Sequence, residues 1–131
     1  IETKKSIATP KAMDMAEPSK TSRLEYTTYR ILRDTKLSME IKAGYEYQCQ
    51  ICGKSIELYG NNLYAETHHI KPLGLPHNGP DIKENILCLC PNHHVQFDYG
   101  AFKISKQTFK ILKHKICDEY IDYHNKYIFG K

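Results

Sequence analysis

The run Asn85-Ile86-Leu87-Cys88-Leu89-Cys90-Pro91-Asn92-His93-His94-Val95-Gln96-Phe97-Asp98-Tyr99-Gly100 sets a strand, a ligand pair and a short helix in consecutive positions. Behind Asn85 the side chains are apolar, which predicts a strand over Asn85–Leu89. Proline is tolerated in the first turn of a helix and glycine closes the last, so the chain should turn helical at Pro91 and stop near Gly100. Cys90 and His93 are separated by two residues, and the same gap recurs upstream in Cys49-Gln50-Ile51-Cys52. That spacing lets two ligands of a pair point at one ion, and Gly53 permits the tight turn that follows. Cys49, Cys52, Cys90 and His93 are therefore read as one structural zinc site, thiolate-rich and closed at four ligands. Cys88 competes with Cys90 for the third place, but it falls inside the strand, and Cys90 is preferred. A short region with few large apolar residues needs such a staple.

Between the two pairs lies a second set of ligand types. Leu63-Tyr64-Ala65-Glu66-Thr67-His68-His69-Ile70 alternates well enough for one strand, which points His68 and His69 to opposite faces. The segment Lys71 to Glu84 is rich in proline and glycine and returns the chain to Asn85. His77 in that segment reads as a polar loop residue. On the helix, His94 and Asp98 are four apart and share a face. A set built from nitrogen and oxygen leaves room for water and substrate, as metal-assisted hydrolysis requires.

The order of these elements resembles the HNH nuclease family, also called ββα-metal, over a motif core of residues 45–100. Its parts here are the Cys49/Cys52 pair, His68-His69-Ile70-Lys71-Pro72, Asn85 before an apolar run, Leu89 through His94, and Phe97-Asp98. The resemblance implies an α+β fold with a zinc-stapled ββα-metal core, preceded by a helix and followed by a hairpin plus a helix. It implies a metal-dependent DNA endonuclease that leaves 5′-phosphate and 3′-hydroxyl ends. His69 is then the general base, since imidazole can take a proton from water near neutral pH. His68 and His94 are ligands of one catalytic divalent ion. Asp98 stands where toxin nucleases of the family carry another metal-binding histidine, and its hard oxygen suits Mg²⁺ or Mn²⁺. Asn85 either pins the loop and orients the base or joins the metal shell. One departure is Cys90-x-x-His93, where many members carry a second Cys-x-x-Cys. The phrase from Asn85 to Gly100 with the Tyr/His-rich tail is also similar to HNH domains at the C-termini of bacterial restriction enzymes, several of which carry an upstream SRA-type reader of modified cytosine.

Outside the core the sequence says less. Residues 1–20 hold Pro10, Pro18 and scattered lysines and read as a linker or disordered tail, leaving 21–131 as one nuclease domain. Ser22 to Ala43 is expected to be helical, with Gly44 as its cap. Ala101–Ser105 and Thr108–Leu112 read as a hairpin around Lys106-Gln107, and Asp118–Tyr127 as a closing helix. Opening in Ile1-Glu2-Thr3 without a methionine, the chain reads as a piece of a longer protein. No stretch resembles a signal peptide or a membrane span, and four of five cysteines fall in the motif region, which argues for metal ligation in a reducing compartment over disulfides; the resemblance to bacterial restriction enzymes implies a bacterial cytoplasm. Cys117 is left as a half-buried helix residue.

Charge is unevenly spread. Residues 41–100 carry four basic and six acidic side chains, whereas 101–131 carry seven and three. The core should need cations, while Lys71, Lys103, Lys106 and Lys110, with Lys113 and Lys115, form the expected phosphate-contacting surface. DNA is the expected partner, mainly through phosphates that carry no base information. Specificity is expected from an upstream recognition domain, and a homodimer is compatible with this reading. The alternative is a zinc-stabilised DNA-binding module without catalysis, which has no need for His68, His69, Asn85 and His94 together.

Overall fold

The computed structural model describes residues 35–131. The expected linker over 1–20 and most of the expected helix from Ser22, with Arg23, Arg30 and Arg33, lie outside the described residues. Helix α1 spans Lys36–Gly44 and is capped by Thr35, whose hydroxyl accepts from the Ser38 amide at 3.2 Å. Strands β1 (Ile56–Leu58) and β2 (Asn62–Tyr64) form an outer antiparallel hairpin. Strands β3 (Glu66–His69) and β4 (Ile86–Leu89) form an inner one, with His68 opposite Leu87 and His69 opposite Ile86. Helix α2 (Pro91–Asp98) follows β4 directly, and α3 (Asp118–Tyr123) closes the domain. The architecture is α+β, with no described helix long and apolar enough to cross a membrane.

The expected single strand from Leu63 to Ile70 is two strands. Residues on either side of Ala65 pair with different partners, so the ladder breaks there while Ala65 itself packs with Ile41, Tyr45, Ile86 and Cys88. Strand β4 is buried along its whole length. Successive strand side chains face opposite ways, so Ile86 and Cys88 enter that first cluster. Leu87 and Leu89 enter a second with Ile70, Phe97, Ile104, Ile116 and Ile121.

The expected hairpin over 101–112 is absent, and a short 3-10 turn occupies Lys106–Thr108. Its two arms find backbone partners elsewhere. Ile104 bonds the Asn125 side chain through both its amide and its carbonyl, at 2.8 Å each. The amides of Lys110 and Ile111 both donate to the Gln50 carbonyl. Gln50 is fully buried, its amide donating to the Cys88 carbonyl and its side-chain oxygen accepting from the Cys88 amide, both at 2.8 Å, so it satisfies both main-chain groups of Cys88. The closing helix runs to Tyr123 and then widens into a π-helical turn, His124–Ile128, slightly past its expected end.

That last turn folds back on the end of α2. Gly100 has φ 70°, its carbonyl accepts from the Gly130 amide, and a Cβ there would lie 2.2 Å from the Ile128 carbonyl oxygen. Gly100→Ala combines left-handed strain with a backbone clash and should cost about 2–4 kcal/mol. A urea titration would show this as a lower midpoint at unchanged slope.

Candidate functional site

The turn after α1 and the start of α2 bring together a compact sulfur-rich cluster. Gly53, at φ 77°, donates its amide to the Cys49 carbonyl at 2.8 Å and folds Cys52 back beside Cys49. Cys90 caps α2, its sulfur accepting from the His93 amide, which sets His93 on the same side one turn later. Ligand atoms of Cys49, Cys52, Cys90 and His93 all lie within 4.8 Å of one another. Cys52 and Cys90 sulfurs are 4.0 Å apart, and His93 Nδ1 is 3.6 Å from Cys49 Sγ and 3.3 Å from Cys90 Sγ. Tetrahedral zinc with bonds of ~2.3 Å to sulfur and ~2.0 Å to nitrogen would set these spacings at roughly 3.8 and 3.5 Å. The donor set fits such an ion. Burial pushes the Cys49 thiol up to about 11, so a thiolate there calls for a cation to offset its charge. Cys88 stays out of the cluster, on the other face of β4, with its thiol pushed up to about 12 by burial.

A second cluster lies between β3 and α2. His68, His94 and Asp98 offer donor atoms within 4.8 Å of one another. His68 Nδ1 is 3.2 Å from one Asp98 oxygen, and His94 Nε2 is 3.4 Å from the other. His68 is 3 % exposed, stacks on Phe97, and leaves its buried Nε2 without a hydrogen-bond partner among the described residues. Burial lowers the His68 imidazole to about 4, against a weaker opposing pull from Asp98. Neutral imidazole is the form with a lone pair to offer a metal. Burial is the largest influence and works to raise the Asp98 carboxyl, but the His68 hydrogen bond and the electrostatic pull of His68 and His94 together outweigh it, and the net direction is down. An ionised oxygen beside two imidazoles is a donor set that fits a divalent ion.

His69 points the other way from His68, and its Nε2 lies 2.8 Å from Asp81 Oδ1. Asn85 is fully buried at the entrance to β4. Its Oδ1 accepts from the Lys71 amide at 2.8 Å, and its Nδ2 donates to the carbonyls of Lys71 at 2.9 Å and Pro80 at 2.8 Å. Both ends of that side chain are thus engaged by main chain, in the loop-pinning arrangement.

With this geometry in hand, the comparisons are specific: residues 49–105 match the family model described as HNH endonuclease. Over these residues the chain resembles an HNH endonuclease domain. Two similar proteins are restriction enzymes. The type IV methyl-directed restriction enzyme EcoKMcrA of Escherichia coli K12 is 38% identical over 66 residues, covering 49% of this chain and 22% of that protein. The modification-dependent TagI restriction endonuclease superposes with a TM-score of 0.59 at 36% identity, over 65% of this chain and 34% of the other. The chain therefore spans about a fifth of the first relative and about a third of the second.

Among the described residues the expected phosphate-contacting lysines are scattered over several internal partners. Lys71 Nζ sits 4.7 Å above the Tyr123 ring, and Lys103 Nζ sits 5.6 Å from the Phe129 ring. Lys106 pairs with Asp118 at 3.2 Å on an open surface, where such a pair contributes little. The Lys110 stem passes beside Gly53. His77, read as a loop residue, meets the Tyr123 hydroxyl at 2.7 Å. Sequence reasoning missed Glu66 and Asp81. Glu66 Oε1 holds His94 Nδ1 at 2.8 Å, and the Tyr64 hydroxyl donates to its other oxygen at 2.6 Å. Such a carboxylate fixes the ring of a metal-binding histidine. Its signal was present, since Glu66 stands two residues before His68 on the same strand face. Asp81 gave none, because twelve positions of irregular loop separate it from His69.

The His68 environment makes stability depend on pH. Its folded value of about 4 lies below the ordinary 6.5, so the unfolded chain binds more protons between them and stability rises with pH there. The full contribution is present above about pH 6.5 and is lost as pH falls toward about 4, a change of up to ~3 kcal/mol. Denaturant midpoints measured across that range should fall steeply for wild type and less steeply for His68→Asn.

Proposed function

We propose that this chain is the cleavage module of a bacterial, cytoplasmic restriction enzyme, a metal-dependent endonuclease that hydrolyses DNA phosphodiesters to 5′-phosphate and 3′-hydroxyl ends. The observation that carries the reading is the arrangement around β3: His68, His94 and Asp98 converge on one side, while His69, paired with Asp81, faces the other. A non-catalytic binding module has no use for both. Zinc is the ion proposed for Cys49, Cys52, Cys90 and His93, as a fold element on a zinc-stapled ββα-metal core. Mg²⁺ or Mn²⁺ is proposed for His68, His94 and Asp98, where a bound divalent ion supplies Lewis-acid stabilisation of charge at the phosphate.

His69 is the general base. It takes a proton from a water, the resulting hydroxide forms a bond to phosphorus in line, and the bond to the 3′ oxygen breaks, that oxygen taking a proton from solvent to become the 3′-hydroxyl. Asn85 keeps the loop that carries the base partner in place, through its bonds to Lys71 and Pro80. Glu66 orients His94 through Nδ1, so that Nε2 faces Asp98. Lys71, two residues from His69, is the lysine best placed to meet a phosphate next to the cut, with Lys103, Lys106 and Lys110 as outlying contacts. Recognition of sequence or base modification is assigned to an upstream domain, in keeping with the small share of the relatives that the chain covers.

Plasmid cleavage with EDTA and metal add-back tests the reading. His69→Ala should leave a folded, zinc-containing protein whose cleavage rate falls by ~10²-fold or more; wild-type cutting by this variant would remove His69 from the role. Cys49→Ala should instead lower zinc stoichiometry and stability together, since zinc binding here is folding free energy. Asp98→Ala should raise the metal concentration needed for half-maximal cleavage more than it lowers the saturated rate. An unchanged metal requirement would exclude Asp98 from the shell.

A further inference from the structure

The loop between β3 and β4 is stitched shut at its base. Asn85 bonds Lys71 on one side and Pro80 on the other, and the Gly79 amide donates to the Pro72 carbonyl at 2.6 Å. The strands of the loop approach so closely here that a Cβ on Gly79 would lie 2.0 Å from the Lys71 carbonyl oxygen. Residues 71–72 and 79–80 are thus held side by side, and the next residue along is Asp81. Its carboxylate reaches His69 Nε2 at 2.8 Å, with the His69 side chain 19% exposed and that of Asp81 41%.

An ionised carboxylate accepts hydrogen bonds and donates none. The ring nitrogen facing Asp81 must therefore carry the proton. In a neutral imidazole the other nitrogen then holds the lone pair. We infer that Asp81 is the positioning residue of this site: its carboxylate takes the Nε2–H of His69, fixes the ring in that tautomer, and leaves Nδ1 as the nitrogen that accepts the proton from water. The buried asparagine acts one step further back, by holding Pro80 and so delivering Asp81. This rests on the nuclease reading for its catalytic meaning, but the contact itself does not. The logic is that of any base whose second nitrogen is oriented by a carboxylate, where replacement by the matching amide keeps the shape and loses the tautomer.

Asp81 is half-exposed, so Asp81→Asn should fold and can be compared directly with wild type in the full, zinc-loaded chain. Long-range ¹H–¹⁵N spectra of the imidazoles distinguish the two tautomers, and His69→Ala assigns the His69 signals. Wild type should show His69 protonated at Nε2. Asp81→Asn should lose that preference, and its cleavage rate at saturating DNA should fall by ~10²-fold or more with little change in the DNA concentration for half saturation. Asp81→Glu should recover the tautomer and part of the rate. Nδ1-protonated His69 in wild type, or an unchanged tautomer in Asp81→Asn, would overturn the assignment. So would a changed tautomer with undiminished cleavage. A wild-type chain that cuts no DNA would count against the nuclease reading alone, and the spectra would still decide the Asp81 contact.

Discussion

Four consecutive residues, Ile86 to Leu89, exclude solvent on both faces of one short strand. Every group of the site is referenced to that strand. Asn85 stands at its entrance and ties down the loop; Leu87 and Ile86 lie opposite His68 and His69. Cys90 leaves its other end and starts the helix that carries His93, His94 and Asp98. Burying Ile86, Leu87 and Leu89 in this way stabilises the fold by roughly 1.5–3 kcal/mol each. Because the two faces feed two different clusters, a slip of one residue would exchange them and move all the candidate ligands at once.

The buried polar groups are arranged as pairs of opposite need. Burial keeps the His68 imidazole neutral and the Cys49 thiol protonated, whereas Asp98 remains a carboxylate by virtue of the histidine beside it. Taken alone these are costs to the fold. A cation at either cluster turns them into binding energy, which links ion loading to stability in this small domain. The other two rings are treated differently: His69 has a carboxylate on Nε2, and His94 has one on each ring nitrogen. Orientation comes from fixed acceptors close by, not from distant packing.

Legibility in the sequence followed the range of the interaction. Cysteine and histidine pairs with two residues between them, Pro91 at the start of a helix and His94 with Asp98 one turn apart are local relations, and the chain order alone exposed them. Strand alternation gave the opposite facing of His68 and His69. The break at Ala65 was hidden because the alternation runs straight through it, and only the choice of partner changes. The arms of 101–112 have hairpin-like composition, yet Asn125 and Gln50 compete for their backbone groups from far along the chain. Asp81 reaches His69 across a loop whose path Asn85 and Gly79 impose, which no periodicity encodes.

Ala65 has one further consequence. The β1–β2 hairpin hangs from the rest of the domain at that point, with Ile56, Leu58, Tyr59 and Leu63 exposed along it. Changes in its length or sequence need not propagate past a residue at which hydrogen-bonded pairing already ends. Relatives built on the same inner hairpin are therefore free to diverge here first, lengthening, trimming or recolouring this limb while the ligands behind it keep their register.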